Sequence, residues 1–115
     1  MILEAGDKVL ASLRRNFGEE YARFFIGFVE AAADGNILVT GHVWVWDPYR
    51  QNVVRREGQR RKLIPLVSNQ FIMHLLDRDE DLEVLSFHTD NNGRVWLARG
   101  ETPFLEMSER ASTSR

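Results

Sequence analysis

The chain of 115 residues contains no cysteine. That absence excludes a disulfide framework, a thiolate metal site and a cysteine nucleophile together. Long apolar runs are missing as well. The longest, with Gly27 counted as apolar, is Phe24 to Val29, far short of the roughly 20 residues a membrane-spanning helix needs. The residues from Met1 to Lys8 lack a basic stretch followed by an apolar one, so no secretory signal is read there. No internal repeat, low-complexity tract, glycine-rich phosphate loop or nucleophile elbow is visible. A cytoplasmic protein with no membrane partner and no cofactor is the expectation.

What is present has ordinary globular proportions: 43% hydrophobic and 28% charged residues, which argues against wholesale disorder. The length suits one core. Residues 1–107 are expected to form a single β domain, and the small polar residues 108–115 to fray. The net charge of −2 hides an uneven distribution. Residues 50–62 hold Arg50, Arg55, Arg56, Arg60, Arg61 and Lys62 against Glu57 alone, a local charge of +5 that leaves −7 for the rest.

Period-2 alternation bounded by Gly, Asn and Asp dominates the chain, and the 3.6-residue helical period is scarce. Asp34-Gly35 suits a two-residue type I′ turn, which needs positive φ at both central positions. Closing the hairpin there pairs residues whose numbers sum to 69. That register puts Phe24, Ile26, Phe28 and Glu30 on one face with Val45, Val43, Gly41 and Val39. The other face carries Arg23, Phe25, Gly27 and Val29 with Trp46, Trp44, His42 and Thr40.

A second hairpin spans Leu82 to Arg99. A three-residue loop, Asn91-Asn92-Gly93, pairs Asp90 with Arg94, Thr89 with Val95, His88 with Trp96 and Phe87 with Leu97, which brings opposite charges together and apolar residues together. Further strands are expected at Asp7 to Arg15, Leu63 to Val67 (at an edge or bulge because of Pro65), Phe71 to Leu76 and Phe104 to Met107. Helix is limited to one or two short turns, near Asn16 to Tyr21 or Arg78 to Asp81. The class is all-β: a small antiparallel barrel-like or sandwich domain. Gly27 and Gly41 within long strands permit sharp bending and favour the barrel. The Gly6-Asp7-Lys8-Val9 opening and the Gly27-x-Val29…Gly35…Val39-x-Gly41 spacing, about a third of the chain, resemble SH3-like and Sm-like small barrels. That resemblance implies architecture, and no functional residue is carried over from it.

Candidate chemistry is sparse. If Glu57-Gly58-Gln59 is a turn, Arg55 and Arg56 face Arg60 and Arg61 across a narrow ribbon, where like charges call for an anion, for salt, or for the acidic stretch Asp77 to Glu83. Arginine forks suit phosphate, and Trp44, Trp46 and Tyr49 precede them as stacking platforms, so a nucleic acid or other polyanion is one candidate partner. A solvated strand edge is the plain alternative. Asp77, Asp79 and Asp81 stand at calcium-loop spacing, but positions six and twelve are Leu82 and His88 where Gly and Glu are required. His42, His74 and His88 lie on separate elements with no His-x-His pair, so no metal site is expected. Ser12, Thr40, Ser68, Ser86, Thr89 and Thr102 offer hydroxyls without a catalytic setting, and no catalytic residue is assigned.

The strongest remaining signal is the aromatic face made by Arg23, Phe25, Trp44 and Trp46. Either another layer of the same chain covers it, or it is an interface, where Trp, Phe and Arg are favoured anchors. The leading expectation is a non-enzymatic interaction module that self-associates through this face, a homodimer being the simplest outcome. Polyanion binding through residues 50–62 stands second. Third is a small-molecule pocket at the barrel mouth using His42 and Trp44.

Overall fold

The computed structural model describes residues 2–13, 23–67 and 70–107. Expectations for Arg14, Arg15, Ser68, a helical turn at 16–21 and a frayed tail at 108–115 lie outside these residues. Nine strands follow in chain order: β1 (Lys8–Leu13), β2 (Arg23–Ala33), β3 (Asn36–Asp47), β4 (Asn52–Arg55), β5 (Arg60–Pro65), β6 (Phe71–Leu76), β7 (Leu85–Thr89), β8 (Val95–Arg99) and β9 (Thr102–Glu106). They form two antiparallel sheets. The first runs β4-β3-β2-β1-β6, with β5 also paired to β3, and the second runs β7-β8-β9. The protein is therefore all-β and sandwich-like. The first sheet stays open, because no described strand joins its two edges.

Local chemistry explains both hairpins. Asp34 and Gly35 sit at φ 54° and 78°, as a type I′ turn requires. In the second hairpin Phe87, His88 and Thr89 pair with Leu97, Trp96 and Val95. Gly93 takes φ 80°, and the Asp90 amide donates to the Arg94 carbonyl at 2.9 Å. The expected register of that hairpin is the observed one.

The first hairpin departs from expectation at Glu30, four residues before its turn. Pairing is Ala33 with Asn36, Ala32 with Ile37 and Ala31 with Leu38, then Val29 with Val39, with Glu30 as the extra residue of a bulge. One inserted residue transfers everything beyond it to the other face. Phe25 therefore lies opposite Val43, and Trp44 opposite Phe24. Gly27 and Gly41 pair directly. A Cβ on Gly41 would stand 2.0 Å from the Ile26 carbonyl oxygen, and one on Gly27 would stand 2.1 Å from that of Thr40. Missing side chains thus let the two backbones meet at a distance that alanine would forbid.

Residues 52–65 do not form a ribbon of their own. β4 pairs with Trp44–Asp47 and β5 with Asn36–Gly41, so the two lie end to end along the same edge of β3. The four residues from Arg56 to Gln59 stand where only His42 and Val43 face them, and form the irregular link. β5 starts at Arg60, three residues before the expected Leu63, because Arg60, Arg61 and Lys62 find partners in Gly41, Thr40 and Val39. Its edge position is as expected from Pro65. The short helix is a 3-10 turn at Leu82–Val84, capped by Asp81, whose carboxylate accepts from the Glu83 amide; it falls just after the expected Arg78 to Asp81. β9 adds to the second sheet and does not close the first.

Apolar residues fill both sides of the first sheet. On one side Leu10, Phe24, Ile26, Trp44 and Val53 pack against Leu85, Phe87, Val95 and Leu97 of the second sheet. Phe87 is the keystone there, stacked on Phe24 at 4.8 Å between ring centroids and edge-on to Trp44 at 5.2 Å. On the other side Val9, Ala11, Phe25, Val29, Ile37, Val39 and Ile64 make a second cluster, flanked by Phe71 and Met73. Ile64 and Phe71 belong to opposite edges of the sheet, so the sheet curls until its edge strands share one apolar interior. Burying a large aliphatic or aromatic side chain contributes about 1.5–3 kcal/mol, which explains why β2 is apolar on both faces.

Candidate functional site

The bulge at Glu30 removes the expected aromatic face. Phe25 and Trp44 lie on opposite sides of the sheet, and both are buried. Trp46 is partly buried against the core between the sheets. Arg23 pairs with Val45 on the other side, which leaves no shared face on which a Trp46–Arg23 cation–π contact could form. A second layer of the same chain covers Trp44, and the geometric basis for an interface built from these four residues is gone.

The basic residues separate into two groups. Arg50 pairs with Asp47 at 3.8 Å, Arg55 with Glu83 at 3.3 Å and Arg61 with Glu30 at 2.9 Å. Contact with the acidic stretch is thus real at one point, Arg55 to Glu83. Arg56, Arg60 and Lys62 have no ion pair among the described residues. Like charges are not opposed across a ribbon, since β4 and β5 both pair with β3. Arg78, Glu80 and Asp81 of the acidic stretch are engaged within the fold. Glu80, buried, takes a two-pronged bond from Arg99 at 2.8–3.1 Å and Arg78 reaches Asp7 at 2.9 Å. Arg99 also lies over the Phe104 ring at 3.8 Å.

Two carboxylates are held below their usual range. Glu30 accepts from the Thr40 hydroxyl and then from Arg61, and these bonds favour its charged form. Asp90 accepts the backbone amides of Arg94 and Asn92 and the Trp96 indole N–H. The Arg99 guanidinium is held above its ordinary value by Glu80. All three serve structure: a bulge, a hairpin tip and a clamp between β8 and the turn after β6.

The hydroxyls raised by the sequence are mostly engaged. Thr40 donates to Glu30, Thr89 to the Asn52 side chain at 2.9 Å and Ser86 to the Gly100 carbonyl at 3.2 Å, while Ser12 is buried. Thr102 opens β9 and is exposed. Among the described residues no group of three or more His, Asp or Glu side chains could hold a metal. His42 and Trp44 do meet, with Arg55, Gln59 and Glu83, but around a cleft of only about 100 Å³, well under the roughly 300 Å³ at which ligand pockets begin.

A larger cavity lies elsewhere, at the open end of the curled sheet. It measures about 280 Å³, and Phe25, Val43, Ile64 and Phe71 are among its walls. Arg23, Lys62 and Leu63 are its exposed members, and no acidic side chain is among the described residues lining it. The Lys62 ammonium stands 5.6 Å from the centroid of the Phe25 ring. The pocket expected at the barrel mouth used His42 and Trp44, which line the smaller cleft on the other face of β3; this cavity is a different one. Lys62 and Ile64, two apart on one edge strand, were the available signal: a cation and an aliphatic on the same face. No protein-family model matches the chain, and no curated protein and no solved structure matches it. No helix among the described residues is long and apolar enough to cross a membrane.

Proposed function

We propose that the protein is a non-catalytic binding module that holds a small ligand with an apolar body in the mouth of its curled first sheet. The observation that carries this reading is the cavity of about 280 Å³ walled by Phe25, Val43, Ile64 and Phe71. Its volume lies just under the roughly 300 Å³ at which ligand pockets begin. Apolar walls of this kind favour a ligand whose surface leaves water. At about 30 Å³ for each water-sized group, the space suits a body of roughly nine or ten heavy atoms. A polyanion along residues 50–62 is the weaker reading, because Arg50, Arg55 and Arg61 are already paired with Asp47, Glu83 and Glu30. Homodimerisation and a cytoplasmic address belong to the proposal as expectations drawn from the sequence.

The test is a titration with 1-octanol, an uncharged probe of suitable size, followed by amide NMR shifts. The expected result is saturable movement at Phe25, Val43, Ile64 and Phe71, reduced in a Val43→Phe variant that fills the space and keeps the wild-type dispersion elsewhere. Absence of saturable shifts at these four positions in the wild type up to the solubility of octanol would refute the reading.

A further inference from the structure

Nine arginines lie in the described strands and links, and six of them are ion-paired: Arg50, Arg55, Arg61, Arg78, Arg94 and Arg99. Arg23, Arg56 and Arg60 are not paired among the described residues, and neither is Lys62. These four are not scattered. Arg23 pairs with Val45, Arg60 with Gly41 and Lys62 with Val39, and these positions of β3 alternate onto the concave face with Val43. Arg56 starts the link beside them, its amide donating to the Val43 carbonyl at 2.8 Å. Acids are more numerous than bases in the chain, but none is ion-paired to these four among the described residues, and Glu57, next to Arg56 in the link, is exposed. Among the described residues these four cations are thus without an ion pair, and two of them, Arg23 and Lys62, line the apolar cavity.

We infer that the ligand of this cavity is a small anionic amphiphile: an apolar body of eight or so carbons carrying a carboxylate that Arg23 and Lys62 bind at the rim. The inference rests on the pocket reading proposed above and adds the charge of the ligand to it. Arg23 offers a planar two-pronged fork for a carboxylate, and Lys62 a movable point charge. Lys62 is already held over the Phe25 ring, so its ammonium stands above the cavity floor, where the head group of a ligand with a buried tail has to lie. Nothing acidic among the described lining residues opposes an anion, whereas a cationic head group would meet two like charges there.

Calorimetric titration with octanoate, 1-octanol and octylammonium separates head-group charge from apolar burial. An ion pair at an exposed rim is worth about a factor of five at most, so two cations should make octanoate bind about 25-fold more tightly than octanol at low salt, with octylammonium weaker than both. The advantage of octanoate should shrink as salt is raised. Lys62→Gln and Arg23→Gln should each weaken octanoate about fivefold and leave octanol unchanged, and the unchanged octanol affinity is the control for folding. Equal binding of octanoate and octanol, both shifting the pocket amides, would overturn the anionic ligand and leave the pocket standing. Failure of all three probes to bind would overturn both.

Discussion

Replacing Gly41 by alanine should open part of the first sheet, against the usual trend. A glycine inside a strand is ordinarily a weakness, and alanine there stabilises by about 0.5–1 kcal/mol through backbone entropy. Here the added Cβ would lie 2.0 Å from the Ile26 carbonyl oxygen and 2.6 Å from the Gly27 Cα. Ordinary contact begins near 3.4 Å, so β2 and β3 would have to separate by more than an ångström where they pair most closely. Two ladder hydrogen bonds at about 1 kcal/mol each, together with about 1–3 kcal/mol of overpacking, outweigh the entropic gain. The net loss is about 2–4 kcal/mol. Urea unfolding measures it, and with a slope of about 1–1.5 kcal/mol per molar for a domain of this size the midpoint should fall by roughly 2 M. Gly58→Ala is the control. Gly58 sits at φ 95° with nothing within 4 Å of a built Cβ, so alanine there adds only backbone strain, a loss of about 1–2 kcal/mol of stability. A Gly41→Ala protein as stable as the wild type would refute the close approach of β2 and β3, and with it the curl that forms the cavity.

Trp44→Ala should lower stability by about 3–5 kcal/mol, as expected for a buried aromatic, and leave the sedimenting mass unchanged; a stable variant that alters the mass relative to 13.3 kDa would restore an interface role for this residue. Asp90 ionises below the ordinary aspartate value of about 3.9, because amides of the hairpin and the Trp96 indole bond its charged form. The stability it contributes is complete above that ordinary value and is lost as pH falls through the depressed one. An NMR titration read at the Trp96 indole N–H should therefore have its midpoint below 3.9, and a midpoint at or above it would contradict the geometry. Glu30 should titrate higher in both Thr40→Val and Arg61→Gln than in the wild type, since the Thr40 hydroxyl bond and then the Arg61 guanidinium hold it down; carbon-detected titration of the carboxyl in the three proteins checks this, and an unchanged midpoint in either variant would contradict it.

Turn chemistry was legible in the sequence because it is local. Asp34-Gly35 and Asn91-Asn92-Gly93 set their own backbone angles, and the second hairpin then needs only matching cross-strand pairs to settle its register. The bulge at Glu30 was not legible, for a physical reason. Register can be read from alternation only when one face of a strand is polar, and β2 buries Phe24, Phe25, Ile26 and Val29 on two sides. Either register places apolar residues on both faces. The one polar residue in the run, Glu30, is the bulge itself, and its carboxylate bonds with Thr40 and Arg61 once displaced. β4 and β5 escaped for a related reason: a twelve-residue β3 has edge enough for two short strands end to end, and alternation does not count partners.

The basic segment shows how a charge count along the chain differs from a charge site in space. Residues 50–62 carry a local +5, which points to one continuous polyanion surface. Folding brings in Glu83 and Glu30 from two other parts of the chain, and with the neighbouring Asp47 they pair with three of the six cations. Alternation along β5 then divides the remainder. Arg61 goes to the side of Thr40, while Arg60 and Lys62 go to the side of Gly41 and Val39. Arg23, far from the segment in sequence, joins them through the pairing of β2 with β3. Among the described residues, the cations of β2 and β5 without an ion pair, Arg23, Arg60 and Lys62, therefore share a face with the apolar cavity, whose walls come from both edges of the sheet. The ligand proposed for that face would present its negative charge and its apolar body within about one side chain's length of each other, as a small carboxylate with an aliphatic tail does.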